Sequence, residues 1–466
     1  MHRTDCIFLA LISTDRYNTY ASGQNHSNPL TPDRIEPKPN HILIPISIRS
    51  KVTKTMSGLH STINTICYAT IIPGTIFISW LIGLVGLRCL QVCLLFFILV
   101  LVVLPLVFRY SVTLQRGILF LTFITYPKGL DLTNPAGIGL YATRNFYITV
   151  KENDSDEDGV RIGVWHVLPR NAVRRFKREL QVEEAFDQDI APDERRDDDY
   201  EQELRLMAPA IKSEFPSIVP ENEQLFYERL LRMPGGTVVI YLHGNTATRG
   251  SGHRSEVYKL LRNLNYHVLS FDYRGYADSD PVSPTEEGVV RDAMMVYEYI
   301  ANVTSNPVII WGHSLGTGVA THMCARLAHL KERAPRAVIL ESPFTNIRDE
   351  IRLHPFSRIF KHLPWFDFAI SRPMYSNRLR FESDIHVHEF PQPIMIIHAE
   401  DDVVVPFHLG YQLYRIALDS RSRAWGPVEF HRFDRSKRYG HKYLCRAPEL
   451  PGLVQHFVEN YRKAVY

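Results

Sequence analysis

Residues 307–316 have the sequence PVIIWGHSLG, and the helix-favouring segment TGVATHMCARLAHL (317–330) follows directly. The first five residues form a short apolar run rich in β-branched side chains, which is typical of a buried strand. Gly312 and Gly316 stand two residues either side of Ser314, so the chain can turn sharply there and lift the serine hydroxyl above the strand. A glycine-rich turn with a capping serine is the alternative explanation. Because the pattern stands between a strand and a helix, we interpret Ser314 as a nucleophile.

Similar apolar runs recur on both sides of this stretch. They are Thr237–Leu242, His267–Phe271, Ala337–Leu340, Ile394–Ile397 and Val428–Phe433, and the helical segments among them are Arg254–Asn263, Glu286–Asn302 and His408–Leu418. Continuous apolar strands that alternate with helices indicate a parallel sheet covered on both faces. The sequence therefore predicts an α/β domain over residues 233–466.

The overall composition excludes several classes of protein. The chain has 466 residues with 53 basic and 50 acidic side chains, a balance that gives no general drive toward nucleic acid. Of its six cysteines, Cys67, Cys89 and Cys93 lie in or beside one apolar stretch, so no disulfide framework is expected.

That apolar stretch is the second strong feature of the sequence. Residues 89–108, CLQVCLLFFILVLVVLPLVF, contain no charged side chain. About 20 helical residues cross the ~30 Å hydrocarbon core of a bilayer. We therefore expect a single transmembrane helix at about residues 88–108, inside an apolar region from 61 to 110. The span lies too far from Met1 to be a cleaved signal peptide and is expected to act as a signal anchor.

The flanking residues bear on orientation. Lys51, Lys54 and Arg88 precede the span, which favours a cytosolic N-terminus by the positive-inside rule. Two glycosylation sequons, at Asn153 and Asn302, follow the span and are compatible with a lumenal or extracellular C-terminal domain.

The remaining boundaries follow composition. Residues 1–60 form a polar tail, 111–169 a juxtamembrane segment with strands at Phe146–Val150 and Arg161–Val167, and 170–232 a charge-dense insertion expected to be a solvated helical excursion. A cap is expected at about residues 343–390. Its aromatic side chains would line an acyl channel or simply pack the cap; they are Phe344, Phe356, Phe360, Trp365, Phe366 and Phe368.

A serine nucleophile needs a base and an orienting acid, and in this kind of fold they follow it in the order acid, then histidine. Asp402, just past the run Ile394–Ile397, is the preferred acid, with Asp401 as its rival. His441 in a loop is the preferred base. His408, His431 and His456 are the other late histidines, and they suit structural roles better. No metal or cofactor is required.

Two further groups complete the predicted site. The amides of Leu315, after the nucleophile, and Asn245, after the run Thr237–Leu242, would form an oxyanion hole. Arg249, His253 and Arg254 lie nearby and would meet a phosphate or carboxylate headgroup, unless they only decorate a solvated helix start.

These motifs together resemble one family. The segments HGNTATRG, FDYRGYADS, IWGHSLGTGVAT, LESPFTNIR and HAEDDVVVPFHLG are similar to those of α/β-hydrolase domain-containing protein twelve, a membrane lysophosphatidylserine lipase family that also hydrolyses monoacylglycerols. The resemblance covers roughly residue 110 to the C-terminus. It implies the α/β-hydrolase fold, a Ser314–Asp402–His441 triad, one span, and a domain facing the lumen of the endoplasmic reticulum.

The predicted activity is therefore hydrolysis of an acyl ester of a lysophospholipid or monoacylglycerol at a membrane, with no role for nucleic acid. Two other classes stay open. An acyl-protein thioesterase would use the same triad from a cytosolic domain, and a non-catalytic hydrolase-fold scaffold would not use it at all.

Overall fold

The computed structural model describes residues 71–151, 159–182 and 199–464, apart from 359, 362 and 364, so the polar tail 1–60 lies outside the described residues. Within them, eight strands form one sheet. The strands are β1 (Thr143–Val150), β2 (Val160–Val167), β3 (Val238–Leu242), β4 (His267–Phe271), β5 (Val308–His313), β6 (Ala337–Glu341), β7 (Ile394–Ala399) and β8 (Val428–Phe433). Each predicted strand is present, with its ends no more than three residues from the predicted ones.

The order of the strands places their connecting loops. From one edge to the other the order is β1-β2-β4-β3-β5-β6-β7-β8. β2 pairs antiparallel with β1 and β4, whereas the pairs from β4 through β3 to β8 are parallel. Because parallel strands end at the same edge of a sheet, the loops after β3, β5, β7 and β8 open at one edge. This mostly parallel sheet confirms the predicted α/β class.

Helices cover both faces of the sheet. The helices of the described residues are α1 (Ile72–Leu81), α2 (Leu87–Tyr110), α3 (Val112–Phe120), α4 (Arg170–Arg175), α5 (Asp199–Glu214), α6 (Pro220–Leu231), α7 (Gly252–Asn263), α8 (Glu286–Val303), α9 (Leu315–Leu330), α10 (Ile347–Leu353), α11 (Arg372–Ser376), α12 (Ser383–His386), α13 (Phe407–Ser420) and α14 (Leu450–Tyr461). Along β5, Ile310 packs in the apolar layer of α8, α9 and α13, while its neighbour Trp311 packs in the layer of α7 and α14. This alternation is the two-residue period of a strand buried on both faces.

The described part of segment 170–232 is folded onto the antiparallel side of the sheet instead of lying in solvent. α4, α5 and α6 enclose a separate apolar cluster that includes Phe176, Leu204 and Phe226. A buried polar chain joins this cluster to the sheet, since Tyr200 Oη lies 3.2 Å from His267 Nε2 and His267 Nδ1 lies 3.0 Å from His166 Nε2. Charged side chains such as Arg205 and Glu221 are exposed on the outer faces of these helices, whereas Arg170 and Glu228 are buried.

Helix α2 fits the predicted membrane span. It is the one helix in the described residues that is long and apolar enough to cross a bilayer: it has 24 residues, and the mean hydropathy of its most apolar 18-residue window is 3.1. Only 11% of its most apolar window is buried in the protein. A core helix of a soluble protein would be mostly covered, so length, composition and exposure all agree with a membrane location.

The end of α2 is tied to the cap. The Arg109 guanidinium lies 3.8 Å from the ring centroid of Phe368 and donates to the Phe368 carbonyl. Gln115 in α3 donates from Nε2 to the Phe108 carbonyl at 2.8 Å, and its Oε1 accepts from Asn377 Nδ2 at 2.7 Å. These bonds hold α3 against both the last turn of α2 and the predicted cap, where residues 343–390 form α10, α11 and α12.

Candidate active site

Ser314 occupies a sharp turn between β5 and α9. Its φ of 53° and ψ of −119° are unusual for a residue with a side chain, and such strain is typical of functional turns. The flanking glycines are required by space: a Cβ on Gly316 would lie 2.0 Å from the Leu242 carbonyl oxygen, and one on Gly312 would lie 2.5 Å from the Gly316 oxygen. The Ser314 amide donates to the Glu341 carbonyl at 3.0 Å, which fixes the turn on the neighbouring strand.

The structure brings Asp402 and His441 together across two loops. His441 Nδ1 lies 2.7 Å from Asp402 Oδ2, and the other carboxylate oxygen accepts from the amides of Val404 and Val405, each at 2.9 Å. Burial tends to raise the pKa of this carboxyl, but His441 and His398 outweigh it and hold the pKa well below its usual range. Asp402 is therefore an anion suited to orient an imidazole.

The rival acid, Asp401, points elsewhere. Its Oδ2 accepts from the Gly440 amide at 3.0 Å, one residue before His441. Asp401 thus holds the backbone of the histidine loop, whereas Asp402 holds the imidazole itself.

The predicted oxyanion loop adjoins the nucleophile. A Cβ on Gly244 would lie 3.1 Å from the Ser314 Cβ, which is tighter than an ordinary van der Waals contact, so glycine suits this close approach. In the same loop the amides of Thr246 and Ala247 donate to the Phe120 and Ile124 carbonyls, at 3.4 and 2.9 Å. Leu315 begins α9, and amides of a first helical turn have no intrahelical acceptor. The arrangement is compatible with the amides of Asn245 and Leu315 as the oxyanion donors.

The chain is similar to several known proteins. A family model described as serine aminopeptidase, S33, matches residues 234–383. Lysophosphatidylserine lipase ABHD12 of Gallus gallus is 40% identical over 362 residues, which cover 77% of this chain and 80% of the relative. The same lipase of Mus musculus is 38% identical over 373 residues, covering 80% of each chain.

The chain belongs to the lysophosphatidylserine lipase ABHD12 family. The resemblance predicted from the sequence motifs is confirmed, and so is the class of enzyme, because members of this family and of the matching hydrolase model are serine ester hydrolases. Among solved structures, the esterase Pf2001 of Pyrococcus furiosus aligns with 73% of this chain and 97% of its own length, at 16% identity and a TM-score of 0.44.

In this ABHD12-family chain, His313 supports the histidine loop, a role that sequence reasoning missed. His313 Nε2 donates to the His441 carbonyl at 2.9 Å, and the two ring centroids are 4.9 Å apart. Burial and the charge of His441 lower the pKa of His313 to about 3, so its ring is neutral and Nε2 carries the proton. The signal was the second residue of the motif, His313, since a side chain next to Ser314 must face a neighbouring loop.

Glu341 is a second missed residue. Its carboxylate lies at the end of β6 and accepts from Trp311 Nε1 at 2.9 Å. Burial raises the pKa of Glu341 to about 7, even though Trp311 and His441 favour the charged form. Near pH 7 the Glu341 carboxyl is therefore about half protonated, close to the proposed triad.

Glu341 should make stability depend on pH. Below about pH 4.5 the carboxyl is protonated in both states; between pH 4.5 and 7 the unfolded chain loses its proton first, so the folded state loses stability as pH rises. We expect Glu341→Gln to remove up to about 3 kcal/mol of this loss. Thermal melts of both proteins from pH 4.5 to 8 measure it, with the exposed Glu459→Gln as control. If the melting temperatures of wild type and Glu341→Gln changed with pH in the same way, the prediction would be contradicted.

Two of the three predicted headgroup residues are committed to internal contacts. Arg249 is fully buried and pairs with Asp272 Oδ2 at 2.7 Å and Asp278 Oδ1 at 2.5 Å. Arg254, also buried, donates to the carbonyls of Gly244, Thr246 and Thr248 and so braces the oxyanion loop. Their guanidinium groups are not accessible to a lipid headgroup. The prediction that Arg249 and Arg254 bind the headgroup is therefore wrong.

The third headgroup candidate, His253, is half-buried. Its ring centroid lies 5.9 Å from that of His313. Burial, aided by the charge of Arg254, holds the pKa of His253 well below its usual value. The ring is therefore neutral near pH 7 and offers an anion at most one hydrogen bond.

Replacement of Arg249 by methionine is expected to destabilise the fold by about 3–5 kcal/mol, because two buried carboxylates would lose their counter-charge. Chemical unfolding of the detergent-solubilised chain measures this change. Arg432→Met is the matched control, since Arg432 is two-thirds exposed beside Glu400 and its loss should change stability little. If Arg249→Met left stability intact and altered only the preference among lipid headgroups, the original expectation would hold instead.

The aromatic residues of the cap divide into two groups. Phe344 and Phe366 are buried, while Phe368 is 43% exposed beside the end of α2. A cavity of about 210 Å³ lies in the cap and is lined by apolar and charged side chains, among them Ile347, Ile351, Met374 and Arg380. A larger one, of about 510 Å³, opens beside Asp402 and is lined by Glu400, Phe407, His408 and Arg435.

Proposed function

We propose that this protein is a membrane-anchored lysophospholipid lipase that works through Ser314, His441 and Asp402. The observation that most supports the proposal is the 2.7 Å pair of His441 Nδ1 and Asp402 Oδ2 in the loops beside the strained Ser314 turn. A serine ester hydrolase needs such a pair to activate its hydroxyl. The strict order serine, acid, histidine along the chain agrees with the fold.

The proposed reaction has two halves. His441 Nε2 takes the Ser314 proton as the Oγ attacks the ester carbonyl, and the amides of Leu315 and Asn245 bind the oxyanion. Collapse of the tetrahedral intermediate expels the glycerol oxygen, which receives the proton from His441, and leaves an acyl-enzyme. Water then attacks, again with His441 as base, and releases a fatty acid and free Ser314. Asp402 stabilises the imidazolium in both halves.

The substrate is proposed from three supports. The apolar helix α2 keeps the domain beside lipid, and the cap carries exposed aromatic side chains such as Phe368. The relatives from Danio rerio and Mus musculus are named lysophosphatidylserine lipases, so lysophosphatidylserine is the proposed substrate. Monoacylglycerol is the second candidate, because Arg249 and Arg254, the predicted headgroup arginines, make internal contacts and so do not select a charged headgroup.

The proposed location is the membrane of the endoplasmic reticulum, with a single span, a cytosolic N-terminus and the hydrolase domain in the lumen. The proposed domains are the tail 1–60, the anchor, the segment 170–232 and the hydrolase core from 233.

The glycosylation sequons test this topology. Asn302 is exposed on the last turn of α8, where a glycan would meet solvent, while Asn153 lies outside the described residues. If glycosidase treatment lowered the mass of the wild-type protein but not that of Asn302→Gln, the result would support a lumenal hydrolase domain.

Purified full-length enzyme in detergent tests the substrate. Lysophosphatidylserine, monoacylglycerol and a palmitoyl-thioester peptide are compared with wild type and Ser314→Ala. The proposal expects fatty-acid release from lysophosphatidylserine that Ser314→Ala abolishes. Turnover of the thioester peptide alone would instead make the protein an acyl-protein thioesterase, and no turnover of any of them would leave a scaffold.

A further inference from the structure

The segment directly after α2 exposes an unusual number of apolar side chains. Leu114 and Ile118 on α3, and Phe123, Ile124 and Tyr126 in the following loop, are between 36% and 72% exposed. The opposite face of α3 is buried through Gln115, Leu119 and Phe120. A helix with apolar side chains on both faces is not matched to water on either side.

The position of this segment indicates what covers it. Helix α2 has 24 residues, or about 36 Å, and therefore reaches past the ~30 Å hydrocarbon core into the interface. α3 starts two residues after α2 ends and is held to its last turn by Gln115, whose Nε2 also donates to the Arg109 carbonyl at 3.1 Å. The segment must accordingly lie at the level of the lipid headgroups.

Its composition fits that level. Residues 111–129 contain no acidic side chain; Arg116 lies between Leu114 and Ile118, and Lys128 follows Tyr126. Aromatic residues such as Phe123 and Tyr126 are enriched at membrane interfaces, and basic residues favour contact with anionic headgroups.

We propose that residues 112–126, called here the interfacial segment, form a second lipid-contacting surface that rests in the bilayer interface and supports the oxyanion loop. The inference rests on the proposed membrane-anchored function. Its partner is the lipid bilayer that also holds α2.

The support is carried by backbone hydrogen bonds. The carbonyls of Phe120 and Ile124 accept from Thr246 and Ala247, and the Leu119 carbonyl accepts from the Asn245 side chain at 3.4 Å. Thr246 and Ala247 have φ values of 66° and 57°, in the left-handed region that side chains disfavour. A strained loop keeps its shape only while its hydrogen-bond partners stay in place. The position of the interfacial segment therefore determines the direction of the Asn245 amide in the oxyanion loop.

Depth-dependent quenching tests the contact. Full-length Ile118→Trp and Phe123→Trp variants are reconstituted into phosphatidylcholine vesicles containing brominated acyl chains. Leu330→Trp is the control, because Leu330 is 58% exposed at the far end of α9 from Ser314. We expect the fluorescence that each introduced indole adds over wild type to be lost in brominated vesicles for the two test variants, and to remain for the control. Full fluorescence at both test positions in brominated vesicles would overturn the proposal. It would also be overturned if these positions crosslinked to a second copy of the chain and were thereby shielded from the brominated lipid.

A second measurement tests the support. Ile118→Ser/Phe123→Ser is expected to lower the ratio of vesicle-embedded lysolipid turnover to water-soluble short-ester turnover about tenfold, while Ile118→Val/Phe123→Leu keeps it. An unchanged ratio in the serine variant would overturn this part. Failure of the proposed function has a different signature, since an enzyme without lysolipid turnover would still show the quenching.

Discussion

Replacement of Ser314 by alanine is expected to lower the turnover of every ester substrate by about 10⁴-fold or more. The hydroxyl is the only group that this change removes, and the strained turn, the flanking glycines and the hydrogen bond from the Ser314 amide to the Glu341 carbonyl all remain. Residual activity would come from binding and the oxyanion donors alone. The measurement is kcat/KM on a short-chain ester, together with labelling by a fluorophosphonate probe.

The matched control is Ser420→Ala. Ser420 is exposed at the end of α13, and its hydroxyl only donates to the Ile416 carbonyl, so both activity and labelling should persist. Thermal melts of both variants show whether the fold is kept. Undiminished probe labelling of Ser314→Ala would mean that another serine is the nucleophile.

Replacement of Asp402 by asparagine is the second large effect, with an expected loss of about 10³–10⁴-fold in kcat. In the proposed mechanism the anion fixes the imidazole through its contact with Nδ1 and also stabilises the positive charge that forms on the ring. An amide in its place can do only the first, and it can favour the wrong tautomer of His441. The pH profile of kcat should shift as well, because an imidazolium without its counter-charge forms less readily.

Asp401→Asn separates the two candidate acids. An asparagine can still accept from the Gly440 amide through its side-chain oxygen, so the loop should keep its shape and the loss should stay within about tenfold. If Asp401→Asn and Asp402→Asn lowered kcat equally, both carboxylates together would orient His441. A larger loss for Asp401→Asn would reverse the assignment.

The fold could be predicted from the sequence because its strands are continuous apolar runs. Such runs as Val308–His313 differ sharply from the helices around them, so both the α/β class and the edge that carries the loops followed from the pattern. The family followed from motifs beyond the nucleophile turn, and the comparisons confirm it. The neighbours Asp401 and Asp402 could be ranked only by position, because adjacent residues differ in the direction of their side chains and not in their surroundings along the chain.

The roles of Arg249 and Arg254 could not be predicted for a related reason. A basic residue at a helix start suggests solvent or an anionic ligand, yet Arg249 meets Asp272 and Asp278 from a different loop. Segment 170–232 misled in the same way, since its apolar residues are sparse along the sequence and meet only when three helices fold together. Long-range partners decide such cases, and local patterns do not contain them.

The members of the proposed triad come from loops after β5, β7 and β8, with His441 only a short way before the final helix. During synthesis the Ser314 turn and the loop after β3 emerge first, and the proposed base emerges only after β8 has been made. A nascent or prematurely terminated chain that lacks β8 therefore has a serine without a base. If the proposed mechanism holds, the order of the strands along the chain delays hydrolytic activity until the loop after β8 has been made.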